Sequence, residues 1–588
     1  MKNPYINLLM KSWYFAREKR KSFIFTICLF VISNAFILAQ PFMFGQILNV
    51  IQKGGPNLWH DFVFYLAIYS IIPFIFWIFH GLGRVIERTA AFYVGKNFKE
   101  YIFSVVTELP FSWHSDNHSG ETINKVNKAT NALERFSGRN YIYTETIVRF
   151  TGSLGGIALV SGYSSIFAII TGVAIIGLIR FFDKKLIKQY KEIFTREHKV
   201  AALLHDYISN IRTVITLHFE LLAKQELIIK ILDIFPIKKK NFILNEFKWF
   251  SMSMLINMLG FLAIFSYGHT SYGATGAILA GNLVMLFQYL KEFNGAFYNF
   301  AGNYEEIVQM NAELQTIDSI TEEHAKLSKK QDLLKTESWK TIHLQNWNFS
   351  YGSPEQHYTL KNIDLELNRG AKIALIGESG SGKSTMSSLL KGLYVADSGV
   401  LTIDGKEIEQ LDALSKITTL IPQDPEIFEN TLEYNVTFGI ETSPEHITNA
   451  VRLARFDSVL QRLPHGLETN IKEKGVNLSG GEKQRLALAR GLFMARERDI
   501  IIMDEPTSSV DPVNEIAIYK NIFEEYPNKC IISAIHKLHL LPMFDMIYFF
   551  DHGEIIESGS FDSLVARNGR FTELWRQYTE SSKESFTI

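Results

Sequence analysis

From Ser22 to Gln52 the chain carries no formally charged side chain. A helix needs about 20 such residues to cross a bilayer, so this run predicts a membrane span. Phe62–Gly83 is a second, and Gly54-Gly55-Pro56-Asn57 marks the turn between them. The charge-free window Phe150–Ile179 is too short for two full spans at about 1.5 Å per residue. Its outer turn is Ser161-Gly162-Tyr163-Ser164-Ser165, so a third span must begin near Tyr141, which draws Glu145 and Arg149 towards the membrane. The fourth runs from Ile166 to Phe182, and Trp249–Leu290 divides at His269–Gly276 into a fifth and a sixth.

Six spans leave both ends on one side. Lys and Arg crowd the long segments of that side, which the positive-inside rule makes the cytoplasm. Ahead of the first span, Tyr5–Phe15 reads as an interfacial helix beside Lys11, Arg17, Lys19, Arg20 and Lys21. Arg84–Arg139 and Asp183–Lys248 read as helical rods with a break at each tip, near Phe111–Gly120 after Pro110 and near Ser209-Asn210-Ile211-Arg212. Residues 1–310 are therefore expected to form an all-α transmembrane domain of six spans plus the interfacial helix. Inside it, Glu145 and Arg149 stand four apart and can pair on one helix face; a satisfied structural pair and a substrate contact are both open to them. Asn257, Asn282 and Gln288 either line a cavity or bridge helices.

With 588 residues the chain holds two or more domains, and its net charge of −1 gives no basis for a nucleic-acid binder, which needs a surplus of positive charge. Cys28 and Cys530 fall in a membrane helix and a cytosolic strand, so no disulfide is expected. Residues 311–338 are polar and charged, a linker, and 339–588 read as an α/β domain. Its centre is Gly377-Glu378-Ser379-Gly380-Ser381-Gly382-Lys383-Ser384-Thr385, set between the apolar run Ile373–Ile376 and the helix-like Met386–Leu390. Glycines between strand and helix let consecutive amides curl round a phosphate; Lys383 adds a point charge and the Ser384 hydroxyl is placed for Mg²⁺.

Other motifs follow in order. Tyr351, in the turn after the strand Thr341–Phe349, is placed to stack on a base. Thr419–Ile421 is a strand leading to Pro422-Gln423-Asp424, and Glu445–Leu463 reads as helical. Leu478-Ser479-Gly480-Gly481-Glu482 is a second glycine turn at a helix N-terminus, hence a second anion site. Two cradles in one chain make sense if each closes over the nucleotide of another molecule. Asp499–Met503 is an apolar strand delivering Asp504 for Mg²⁺ and Glu505 to polarise a water. Ser508–Asp511 forms a turn, and the strand Cys530–Ala534 ends near His536, whose imidazole can reach a γ-phosphate.

Together these residues resemble an ATP-binding cassette exporter of the half-transporter type over essentially the whole chain. Gly377–Thr385 is similar to its Walker A motif, Asp504-Glu505 to Walker B with the catalytic glutamate, and Gln423 to the Q-loop glutamine, which the resemblance also makes a metal contact. Leu478–Glu482 is similar to the signature, Ser508–Asp511 to the D-loop, His536 to the switch histidine and Tyr351 to the A-loop aromatic. The resemblance implies a six-helix membrane domain followed by an α/β P-loop ATPase, with ATP and Mg²⁺ as cofactors. Glu505, His536, Gln423 and Lys383 take the catalytic roles, and the tips Phe111–Gly120 and Ser209–Val214 become coupling helices. The implied partner is a second copy, or a related half-transporter, in a lipid bilayer such as a cell inner membrane. The cargo is amphipathic, lipid-like or peptide-like; the rival class is an ATP-gated channel or regulatory membrane ATPase. One departure stands out: the signature usually ends in Gln, and Glu482 sets a negative charge there unless Lys483 compensates.

Overall fold

A computed structural model describes residues 3–327, 339–351, 359–408, 413–471 and 478–584. The end of the expected linker, 328–338, lies outside the described residues. Two compact units emerge, one of Met1–Leu109 with His114–Ser328 and the other of Pro110–Trp113 with Lys329–Ile588.

The first unit is helical. The interfacial helix is α1 (Pro4–Ala16), and the first charge-free run divides into α2 (Arg20–Ile37) and α3 (Gln40–Lys53). Pro41 explains the division: it has no N–H to offer the preceding turn, and the nearby Leu38 carbonyl accepts from the Tyr289 hydroxyl at 3.2 Å. Then α4 (Leu58–Glu108) runs for 51 residues and stops before Pro110. The tip helix α5 (Phe111–Asp116), whose Phe111–Trp113 belong to the second unit, and α6 (Ser119–Ser137) lead to α7 (Asn140–Val160). The outer turn is shorter than expected, because Ser161 alone breaks the helix and its hydroxyl caps α8 (Gly162–Ser209) by accepting from the Ser164 amide. The second tip is α9 (Ile211–Thr216), followed by α10 (Glu220–Leu232) and α11 (Phe235–Thr275). Thus His269–Thr275, expected as turn, is helix that ends at Gly276 with φ +67°. Residues 311–326, read from their polarity as linker, are helical: α12 (Ala280–Gln315) runs through, and α13 (Asp318–Lys326) follows.

Among the described residues four runs, Pro4–Lys53, Leu58–Glu108, Gly162–Ser209 and Glu220–Ala274, are long and apolar enough to cross a membrane. The expected third and sixth spans, in α7 and α12, are diluted by Glu145, Arg149, Lys291 and Glu292. These helices face each other, and Arg149 bridges them to Glu292 at 3.0 Å.

Among its described residues the second unit holds two sheets, of order β2-β1-β4-β5 and β10-β9-β3-β8-β7-β6. The antiparallel one comprises β1 (Thr341–Phe349), β2 (Leu360–Asn368), β4 (Ser398–Ile403) and β5 (Lys406–Ile408). The larger one has a parallel centre of β3 (Lys372–Gly377), β6 (Thr418–Ile421), β7 (Ile500–Asp504) and β8 (Cys530–Ala534). Its edge is β9 (Met546–Asp551), parallel to β3, with β10 (Glu554–Gly559) antiparallel beyond it. Ile500, Ile501 and Ile502 are fully buried, as expected of a strand covered on both faces.

Helices α14 (Lys383–Lys391), α15 (Leu432–Thr437), α16 (Pro444–Leu453), α17 (Asp457–Arg462), α18 (Gly480–Ala495), α19 (Pro512–Glu525), α20 (Phe561–Ala566) and α21 (Arg570–Glu584) complete the unit, with α14 and α18 packed on the sheet and α15 and α16 on α18. The stretch Glu445–Leu463, expected as one helix, is two, broken where Arg455 takes φ +54°. Because β3, β8, β7 and β6 run parallel, their carboxyl ends share one edge, where open α/β sheets bind ligands.

Candidate functional site

The glycine turn leaves β3 at that edge. Gly377 has φ +149°, and a Cβ there would lie 2.3 Å from the Phe550 carbonyl oxygen; Gly382, at φ +106°, would strike Leu360. Only glycine fits these two positions. Helix α14 then starts at Lys383, whose ammonium donates to the Gly377 and Glu378 carbonyls at 2.9 Å each. Burial holds the Lys383 ammonium below its ordinary range, opposed by the charges of Glu505 and Asp504. The next hydroxyl, on Ser384, donates to Asp504 Oδ1 at 3.1 Å, and the Thr385 hydroxyl lies 3.0 Å from that of Tyr351. Tyr351 is braced edge-on by Phe349 and Tyr394, yet is 58% exposed, so its ring is open to a stacking partner.

Strand β7 delivers the two acids. Burial raises the Asp504 carboxyl, and the Ser384 hydrogen bond counters it. Glu505 is held from two sides: Gln423 Nε2 donates to its Oε2 at 2.9 Å, and His536 Nε2 lies 2.6 Å from its Oε1. Its φ of +46° is unusual for a residue with a side chain, and its amide donates to the Ala534 carbonyl of β8 at 3.2 Å. The structure thus brings the glycine loop, Tyr351, Gln423, Asp504, Glu505 and His536 to one edge.

Ser384 and Asp504, with Gln423 close by, are hard oxygen donors of the kind Mg²⁺ takes, and one carboxylate suffices where phosphates complete the shell. Among the described residues no cluster of three or more His, Cys, Asp or Glu could hold a metal.

The second glycine turn is not joined to this group: among the described residues no hydrogen bond links Ser479, Gly480, Gly481 or Glu482 to residues 377–385. Ser479 and Glu482 form a capping box at the start of α18. Gln484, which sequence reasoning missed, ties that helix to the turn at Ser508, donating to its hydroxyl at 2.6 Å and accepting from the Ser509 amide at 2.8 Å. Lys483 makes no ion pair among the described residues; Arg462, at the end of α17, is the partner of Glu482. A partner 20 positions away leaves no local signal in the sequence.

The membrane-unit candidates have structural contacts. Glu145 pairs with Arg149 at 2.8 Å, and Arg149 also reaches Glu292 and Asn34, joining α7 to α12 and α2. Asn282 accepts from Asn49 at 2.8 Å across α12 and α3, while Asn257 bonds within its own helix to the Ser253 carbonyl. Gln288 is half-buried and makes no hydrogen bond among the described residues. None of these five lines the cavity of about 990 Å³ in this unit, where Arg84, Arg88, Lys128, Arg135 and Arg139 face Glu134 and Glu313.

Comparison with known proteins matches residues 23–297 to the ABC transporter transmembrane region and residues 360–508 to the ABC transporter domain. An ABC transporter ATP-binding protein of Bacillus subtilis, YfiC, is 24% identical, covering 97% of this chain and 94% of that protein. The mycobactin import ATP-binding/permease protein IrtB of Mycolicibacterium thermoresistibile is 32% identical over 57% of this chain, an alignment spanning 57% of that relative's length. The fold is similar to a bacterial Atm1-family ABC exporter solved with ATP bound, with a TM-score of 0.83 over 95% of this chain and 98% of that one, at 22% identity.

Proposed function

Because this chain belongs to the ABC transporter family, as a half-transporter fusing the transmembrane region to the ATP-binding cassette, we propose that it is an ATP-driven exporter working as two identical chains. The observation that carries this reading is the double hold on Glu505 by Gln423 and His536 beside Lys383. ATP lies with its base on Tyr351 and its phosphates on the amides of 377–385 and Lys383. Ser384, Asp504 and Gln423 would hold Mg²⁺, which would supply charge neutralisation on the phosphates. Glu505 polarises the attacking water while His536 and Gln423 fix its carboxylate.

The second copy supplies the signature. Ser479 and the amides of Gly480 and Gly481 are unlinked to the chain's own phosphate loop, which supports a site completed by a partner. So does the apolar surface of α10 and its neighbour: Leu221, Leu222, Ile229, Leu232 and Phe235 are exposed in a charged cytoplasmic excursion. Both termini and the cassettes lie in the cytoplasm, with six spans per chain in the membrane, and ATP binding closes the cassettes to open the cavity outwards. Cargo is amphipathic, lipid-like or peptide-like.

The test uses the full chain in lipid vesicles. Compounds that change its ATPase rate identify cargo, which should then accumulate uphill on the side away from the cassette. Glu505→Gln should keep ATP binding and lose turnover on the order of 100-fold. Near-normal ATPase in that variant overturns the role of Glu505; downhill flux alone marks an ATP-gated channel, and accumulation on the cassette side marks an importer, as the IrtB relative is named.

A further inference from the structure

Glu482 caps α18, where a negative charge suits the helix but competes with any phosphate brought to the same turn. A helix N-terminus attracts phosphate through the partial positive charge of its free amides. In α18 the same turn carries a carboxylate at its third position, where Gln is the usual residue of the signature it resembles. The carboxylate is not loose: its Oε2 accepts from the Ser479 amide at 2.8 Å, its own amide donates to the Ser479 hydroxyl at 3.4 Å, and its side chain is 15% exposed. It therefore fixes Ser479, the residue that meets the phosphate, and repels that phosphate at once.

Two cations face it. Arg485 acts at a distance, with its guanidinium donating elsewhere, to the Arg455 carbonyl at 2.8 Å. Arg462 forms the direct ion pair with Glu482 Oε1, the oxygen left over from the capping bond. Each carboxylate oxygen thus has one partner, an amide for geometry and a guanidinium for charge.

We propose that Arg462 is a positioning residue for ATP hydrolysis: it neutralises Glu482, so that the signature turn keeps the capping geometry and still accepts the triphosphate held by the partner chain. The inference rests on the two-chain site above and names the device that makes this chain's unusual signature workable. It also accounts for the pair's asymmetry, since Arg462 is 66% exposed and screens the carboxylate from the solvent side.

The experiment measures ATPase kinetics of the full chain in lipid vesicles at low and high salt, for Arg462→Ala in two backgrounds, native and Glu482→Gln. In the native background Arg462→Ala should raise KM for ATP about tenfold at low salt with a smaller change in kcat. Added salt should shrink that increase, because ions screen a solvent-facing charge. In the Glu482→Gln background the same change should move KM less than about twofold and without salt dependence. Arg462→Lys, which keeps the charge, should stay near the native KM. Melting temperature of each variant separates folding from function. An unchanged KM in Arg462→Ala overturns the inference, as does an equal KM increase in both backgrounds, which would make Arg462 a support for α17 alone. The two-chain reading fails differently, through ATPase that persists unchanged in isolated single chains.

Discussion

Glu505 shows what a residue gives up to act. Holding a side-chain-bearing residue at φ +46° costs on the order of 1–3 kcal/mol, and the turn it makes aims the carboxylate between Gln423 and His536. At the opposite, amino-terminal end of the same strands a thiol is silenced. Cys530 is fully buried in β8, and burial pushes its pKa up to about 12. A maleimide at pH 8 should therefore leave Cys530 unmodified in the folded protein, with labelling read by mass spectrometry appearing only on unfolding; prompt labelling would show that β8 opens in the native state. Individual site residues were readable in advance where chemistry and chain order coincide: Lys383 and Ser384 after a glycine turn, Asp504 and Glu505 after an apolar strand. Arg462 was not, because its pairing with Glu482 exists only once α17 and α18 have packed.

At the level of elements, a buried carboxylate stitches two catalytic turns together. Glu515 on α19 is 2% exposed at its side chain; its Oε1 accepts from the Thr507 hydroxyl at 2.6 Å and its Oε2 lies 3.3 Å from the Lys537 ammonium. Lys537 in turn donates to the Thr507 and Val510 carbonyls. The turn that follows Glu505 and the one that follows His536 are thereby fixed to one side chain. Glu515→Ala should lower stability by about 2 kcal/mol, by leaving hydrogen-bonding groups unpaired, and should lower kcat; Glu515→Gln should recover part of both. Urea melts and ATPase rates on the full chain check this, and wild-type behaviour of Glu515→Ala would refute it. Element types were legible from periodicity and from charge-free length. Their breaks were less so: Pro41 hides a helix boundary inside one apolar run, and Arg455 takes a left-handed turn that its side chain does not advertise.

For the whole molecule, the unjoined signature is the decisive feature. Paired cysteines introduced beside Ser381 and beside Ser479, on chains carrying one each, should cross-link between chains when ATP is added; coupling confined to single chains carrying both would refute the two-chain site. A single chain cannot advertise such a site, since its sequence lists both halves without saying which copy each serves. The same gap between inventory and arrangement affects α4. Its outer part is largely exposed, whereas Glu87, Ala90, Ala91, Val94, Gly95, Asn97, Phe98, Ile102 and Val105 are buried in the inner part. At about 1.5 Å per residue the helix is roughly 75 Å long, clamped over one half and, over the other, packed along one side on α2 and α3 through Phe79 on Phe36 and Tyr69 on Phe44. A stiff rod of that length that turned about Gly83, where α4 meets Phe30, would act as a lever. A pivot of about 5° there carries a tip some 35 Å away through about 3 Å, so a slight adjustment in the clamped half becomes a displacement the width of a water molecule at the far end.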